Sequence, residues 1–314
     1  MSVPPRAARH TQSTSVRSFS ERQAPPALRW GMGALEALSP SMAVHVTQRL
    51  ITSPQRHRRP AWEQAALKGA WPGMLRRGGR RIATWEWLGQ SVPPLGRMGD
   101  PLPTLVLVHG WEGRGSQLAR LVPPLLARGW RVVTFDAPGH GDSAGREGHV
   151  PVFMSALRDV VDAVGPVDGI VAHSLGAVVT AAAMQKGLPV DRVAYVAPGI
   201  WSDDTADLFA RAVGVGPGVI GRVQDLFADR TGMRWSDLAP ERVYAGRQEP
   251  LMVVHDADDR DVSRDALARL TEVWAPERTL FTEGLGHRRV LRDEAVAAAV
   301  ADFFGPARGG LAAK

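Results

Sequence analysis

The segment Gly169-Ile-Val-Ala-His-Ser-Leu-Gly-Ala177 closes an apolar run on Ser174 and follows it with small residues. A strand that turns abruptly into a helix at a serine lifts the hydroxyl above the sheet. Such an elbow is strained and tolerates only small side chains two positions before and after the serine. Ala172 and Gly176 stand there; glycine is usual at the first, and one methyl is a modest departure. A hydroxyl held in this way can attack a carbonyl carbon if a base takes its proton. A serine after a strand can equally cap a helix, so the chemistry depends on a base and an acid elsewhere in the chain.

Three further segments place polar residues after apolar runs. They are Leu105-Val-Leu-Val-His-Gly-Trp-Glu-Gly-Arg-Gly115, Val133-Thr-Phe-Asp-Ala-Pro-Gly-His-Gly-Asp-Ser143, and Val253-Val-His-Asp-Ala-Asp-Asp-Arg-Asp-Val262 with Gly284-Leu-Gly-His-Arg288. Together with the Ser174 segment, from about Arg81 to Gly305, they resemble the α/β-hydrolase superfamily, and more narrowly bacterial serine hydrolases with a small helical cap. The order Ser174, Asp259, His287 is the triad order of that superfamily. His287, between Gly286 and Arg288 in a loop after the last strand, is the candidate base. A buried carboxylate would hold its imidazole in the correct tautomer. The resemblance implies Asp259 for that role, three residues beyond His255-Asp256, where the family has a His-Gly pair; Asp256 is a second departure. Asp256, Asp258 and Asp261 crowd the same loop, and Asp203 or Asp204 stands where the superfamily has an alternative acid.

An attacked carbonyl develops negative charge on oxygen, which two backbone N–H groups can stabilise. Leu175, at a helix N-terminus directly after the serine, is one expected donor, aided by the helix dipole. Trp111 is the other, after the His109-Gly110 turn in which Gly110 permits close approach. His109 reads as shaping this loop, and Asp136 opens a segment resembling the loop that braces the elbow. His140 and His173 also fall near the strand ends, yet neither HxHxDH nor HExxH occurs. Gly113-Arg-Gly115 is followed by neither GxGxxG nor a Walker lysine. The expectation is therefore no metal and no cofactor.

These residues need a rigid scaffold. Strands are expected at Arg81–Trp87, Thr104–Val108, Arg131–Phe135, Gly169–Ala172, Val193–Ala197, Leu251–His255 and Thr279–Phe281. Helices are expected at Gln117–Arg128, Val152–Val164, Leu175–Lys186, Arg264–Val273 and Asp293–Phe304. Runs of Val, Leu and Ile without alternation are buried on both faces, as in a parallel sheet, and alternating strands and helices give a doubly wound α/β architecture. Ligands bind beyond the carboxyl ends of such strands. Residues 200–249 interrupt the rhythm and read as a small helical cap. Within it Trp201, Leu208, Phe209, Phe227 and Trp235 supply either pocket lining or the cap's own core.

Residues 1–29 read as a disordered basic tail, 30–78 as an N-terminal helical extension with one helix from Gly31 to Thr52 and a linker from Pro54 to Pro60, and 79–314 as the hydrolase domain. The net charge of +6 is uneven: residues 1–100 carry 15 Lys/Arg against 5 Asp/Glu. A basic segment can bind nucleic acid or an anionic membrane. No aromatic-basic motif accompanies it, so nucleic acid is not expected, while weak membrane-surface contact stays open. There is no cysteine, which excludes a disulfide framework. No secretory h-region begins the chain, and no apolar run approaches the roughly 20 residues of a membrane span, so a cytoplasmic location is expected. The residues point to a serine hydrolase of carboxylic esters or related acyl bonds, working through an acyl-enzyme on a small-molecule substrate. Thioesterase, acyltransferase or perhydrolase chemistry would use the same residues, and a non-catalytic binding protein is the reading from another class.

Overall fold

A computed structural model of the protein describes residues 24–89, 102–201 and 205–307. Eight strands form one sheet: β1 (Trp71–Arg77), β2 (Arg80–Trp87), β3 (Thr104–Val108), β4 (Arg131–Phe135), β5 (Gly169–Ser174), β6 (Arg192–Pro198), β7 (Leu251–Asp256) and β8 (Arg278–Thr282). Their spatial order is β1-β2-β4-β3-β5-β6-β7-β8. The pairs β1/β2 and β2/β4 are antiparallel, and β4 through β8 run parallel.

Successive side chains of a strand point to opposite faces, and in the central strands both faces are apolar. Val106, Val108, Ile170, Val193, Tyr195 and Val253 meet one helical layer, made largely of α5 (Val150–Val164), α6 (Leu175–Gln185) and α10 (Arg264–Val273). Leu105, Leu107, Val171, Val196 and Val254 meet the other, which includes α4 (Val122–Leu126) and α12 (Glu294–Phe304). This is a doubly wound, mostly parallel α/β fold, as the strand pattern predicts, and it fits the arrangement that the resemblance to α/β-hydrolases implies.

Several local expectations are corrected. The single helix expected over Gly31–Thr52 is two, α1 (Pro26–Leu38) and α2 (Pro40–Thr52), because Pro40 excludes its predecessor from helical angles; Ser39 takes φ −154°. Helix α1 also begins inside the stretch read as a tail; residues 1–23 of that tail lie outside the described residues. The extension is not purely helical, since Trp71–Arg77 enters the sheet as the antiparallel partner of β2. The helix expected over Gln117–Arg128 is a 3₁₀ turn, Gly115–Leu121, followed by α4, where Pro123 and Pro124 lack the N–H a longer helix requires.

The cap is composite. Helices α7 (Thr205–Val213) and α8 (Pro217–Thr231) of the insertion share a buried core with α1 and α2: Met32, Ala43 and Val44 pack with Val213, Val219, Ile220, Val223, Phe227 and Trp235. Trp201 and Phe209 stack on Trp235 with ring centroids 5.4 and 5.7 Å apart, so these aromatics build the cap's own interior. Among the described residues no helix is long and apolar enough to cross a membrane.

Candidate active site

Ser174 ends β5 and adopts φ +53°, ψ −125°, a left-handed conformation that L-residues avoid and that costs about 1–3 kcal/mol. The surroundings leave no room for relaxation. A Cβ at Gly176 would sit 2.6 Å from the His109 carbonyl oxygen and 2.7 Å from that of Val108. One at Gly110 would sit 2.8 Å from the Ser174 Cβ. The methyl of Ala172 is accommodated in full burial. Leu175 opens α6 immediately after the serine.

The Ser174 hydroxyl lies 2.9 Å from His287 Nε2, and His287 Nδ1 lies 2.8 Å from Asp259 Oδ2. With Nδ1–H donating to the carboxylate, Nε2 is left to accept the serine proton. His287 sits on a one-turn helix, α11 (Gly286–Arg289), rather than in the loop expected; Gly284 and Gly286 take φ +77° and +64° and turn the chain into it. Asp259 is buried. Its Oδ1 accepts the N–H groups of Asp261 and Val262 at 2.7 and 3.0 Å. Burial alone would raise its pKa, but the hydrogen bond and charge of His287 and these backbone donors hold it below the usual carboxylate value. Asp261 approaches His287 Nε2 only to 3.8 Å, so Asp259 is the acid best placed by distance. Asp203 and Asp204 lie outside the described residues.

His109 has both ring nitrogens committed to backbone: Nδ1 lies 2.7 Å from the Gly110 carbonyl oxygen, and Nε2 accepts the Ala137 N–H at 2.9 Å. Burial and the neighbouring His140 push its pKa well below the ordinary value, which leaves a neutral pin between two loops. Asp136, fully buried, accepts the N–H groups of Gly115 and Asp142, each at 2.8 Å. Burial raises its pKa to about 6 despite those bonds. His140 stacks edge-on against Trp111 at 5.5 Å. Among the described residues no group of three or more His, Cys, Asp or Glu could hold a metal ion.

Three side chains matter more than sequence reasoning allowed. His173 donates from Nε2 to the His287 carbonyl oxygen at 2.9 Å and so ties the elbow to the histidine turn. Asp256, in place of the family's glycine, accepts four donors: the N–H groups of Asp258 (3.0 Å), Leu285 (3.1 Å) and Gly286 (2.8 Å) and the Thr282 hydroxyl (2.7 Å). Burial opposes its ionisation, yet these bonds hold its pKa below the ordinary value. Arg56, within the expected linker, donates to the carbonyls of Gly139, Gly141, Ser143 and Gly145. The departure of Asp256 from the family pattern was the one available signal; a buried His and a linker Arg carry none in a single sequence.

Residues 99–277 match the family described as Serine aminopeptidase, S33. No curated protein matches the chain. Among solved structures, the thioesterase domain from the curacin biosynthetic pathway is 18% identical with a TM-score of 0.54, over 74% of this chain and 98% of that one. Est1E from Butyrivibrio proteoclasticus, solved with ferulic acid, is 16% identical with a TM-score of 0.55, over 74% and 97%. An esterase from Pyrococcus furiosus is 16% identical with a TM-score of 0.54, over 81% and 96%. At these identities the structural likeness establishes the fold, while the family match covers more than half of the chain and spans Ser174 and Asp259. The chain therefore belongs to the serine aminopeptidase S33 family of α/β-hydrolases.

Proposed function

We propose that the protein is a serine hydrolase of carboxylic esters or closely related acyl bonds, with Ser174 as nucleophile, His287 as base and Asp259 as its orienting acid. The observation that carries this reading is the chain of hydrogen-bond distances from Ser174 Oγ through His287 to Asp259, built on a serine whose backbone is held in a strained conformation. Ser174 Oγ adds to the acyl carbon while His287 Nε2 takes its proton; the same proton then goes to the leaving group, and an acyl-enzyme remains. Water, deprotonated by His287, releases the acid. The backbone N–H groups of Leu175 and Trp111 are the proposed oxyanion donors, with His109, Gly110, Asp136 and Gly176 shaping the loops that present them. No cofactor enters the scheme. Thioester cleavage or transfer to another acceptor would use the same groups.

Ser174→Ala tests the reading. The variant should fold as the parent does and lose hydrolysis of a short p-nitrophenyl ester, and the parent should take up a fluorophosphonate at Ser174. Retained turnover in the variant would defeat the mechanism. A folded parent that neither turns over ester nor takes the label would be a binding protein.

A further inference from the structure

The loop that carries Trp111 is anchored from outside the region matched by the family, which begins at residue 99. Glu112, the next residue, has φ +53°, a conformation unfavourable for a side chain with a Cβ. Its carboxylate accepts the Gln55 N–H at 3.2 Å and lies 3.9 Å from His57 Nε2. Two residues further on, buried Arg114 makes a bidentate pair with Glu63 of α3 (Ala61–Leu67), at 2.5 and 2.9 Å, and donates to the His57 carbonyl oxygen at 3.0 Å. Ser116 donates to Glu63 at 2.5 Å and accepts from Arg59 at 3.0 Å. Glu63 is itself buried, so this is a desolvated, fully hydrogen-bonded charge pair, an arrangement that fixes geometry.

We infer that residues 55–63 form a strap whose Glu63, together with Glu112 and Arg114, positions the Trp111 backbone N–H as an oxyanion donor. This rests on the reading of Ser174 as nucleophile. The loop has few alternatives for staying in place. Gly110 is already pressed against Ser174, where a Cβ would be only 2.8 Å from the serine's. Gly113 N–H closes a turn onto the Gly110 carbonyl at 3.0 Å. A left-handed residue between those two glycines persists only while its surroundings hold it, and the strap supplies the side-chain partners that do so. The strap acts on the transition state, because the charge it serves exists only once the carbonyl has been attacked.

Three variants of the full-length chain test this against a short p-nitrophenyl ester, with rates normalised to sites titrated by a fluorophosphonate. Glu112→Ala keeps the strained backbone and removes the tether; Glu63→Gln leaves Arg114 a neutral partner; Glu112→Gln keeps an oxygen for the Gln55 N–H. For the first two, kcat should fall at least tenfold with KM within about threefold, a fraction of the 10²–10³ lost with a whole oxyanion donor. The inhibition constant of a trifluoromethyl ketone, whose adduct carries the oxyanion, should rise in step with the loss of kcat. The pH at half-maximal kcat should not move, since His287 and Asp259 are untouched. Glu112→Gln should retain most of the parent's kcat. If Glu63→Gln fails to fold, the two Glu112 variants decide alone. Unchanged kcat per titrated site with only a lower melting temperature would overturn the inference, as would equal losses in Glu112→Gln and Glu112→Ala. Failure of the parent to react through Ser174 would instead defeat the reading of the site, and is seen before any strap variant is made.

Discussion

Asp256→Asn should destabilise the protein more than Asp256→Gly, although asparagine is the closer isostere. Four donors converge on the buried carboxylate: Asp258 and Gly286 N–H on Oδ1, Thr282 hydroxyl and Leu285 N–H on Oδ2. An asparagine has one acceptor oxygen. With its amide nitrogen at the Oδ2 place, Thr282 can rotate to accept, but the Leu285 N–H then faces another donor. In the opposite orientation two backbone donors are orphaned. Three bonds to a charged group become bonds to a neutral one, at ~1 kcal/mol each, and one orphaned N–H adds ~1–3 kcal/mol. The total is ~4–6 kcal/mol, or a fall in melting temperature of roughly 8–24 °C at ~2–4 °C per kcal/mol. Glycine removes the acceptor but also vacates a polar space in which water can satisfy the same donors, so its loss should be about half as large. Thermal unfolding followed by tryptophan fluorescence at pH 7.5 measures both. An Asn variant as stable as the parent, or a Gly variant less stable than the Asn variant, would refute this account of the His287 turn.

Further outcomes follow from the same contacts. Acid should unfold the protein sharply: burial lowers the pKa of His173 to about 3 and of His140 to about 4, and also lowers His109, His149 and His255. His173 and His140 stay neutral in the fold and are charged when unfolded below about pH 6.5, so stability present at pH 7.5 is lost as pH falls from 6.5 toward 4, at ~1.4 kcal/mol per pH unit and proton, and the lowered His109, His149 and His255 add in the same direction. Asp136, raised to about 6, opposes one of these protons in the window between about 4 and 6. Denaturant midpoints that stay flat from pH 7 to 5 would contradict this. Gly110→Ala should cut kcat at least tenfold in ester hydrolysis, because its Cβ must displace either Ser174 or the Trp111 loop; an unchanged kcat would show that the loop yields freely. Trp235→Ala should cost about 3–5 kcal/mol in guanidinium unfolding, since it joins the N-terminal and inserted cap helices; a loss below about 1 kcal/mol would mean that the two halves do not share a core.

The central fold was legible because β3 to β7 are uninterrupted apolar runs buried on both faces, and such runs fit few architectures. Ser174 was legible because steric crowding forces small residues around it, and that leaves a local pattern. His287 and Asp259 could be named only through the order the family imposes, since their partners are 113 and 28 residues away. The N-terminal helices defeated the pattern, because the helical spacing of Leu35, Leu38, Met42 and Val46 passes through Pro40 as though it were absent. The strap was missed for a different reason. Arg56 and Arg59, between Pro54 and Pro60, and Glu63 just after them look like solvated charges, and only the fold brings them against buried carbonyls, Asp136 and Arg114.

The most direct test is to stop the parent enzyme during turnover of a p-nitrophenyl ester and map the acylated peptide by mass spectrometry. The account predicts one acyl group per chain on Ser174, appearing with the burst of nitrophenol and absent from Ser174→Ala. Turnover that leaves Ser174 unmodified, or an adduct that persists in Ser174→Ala, would contradict it.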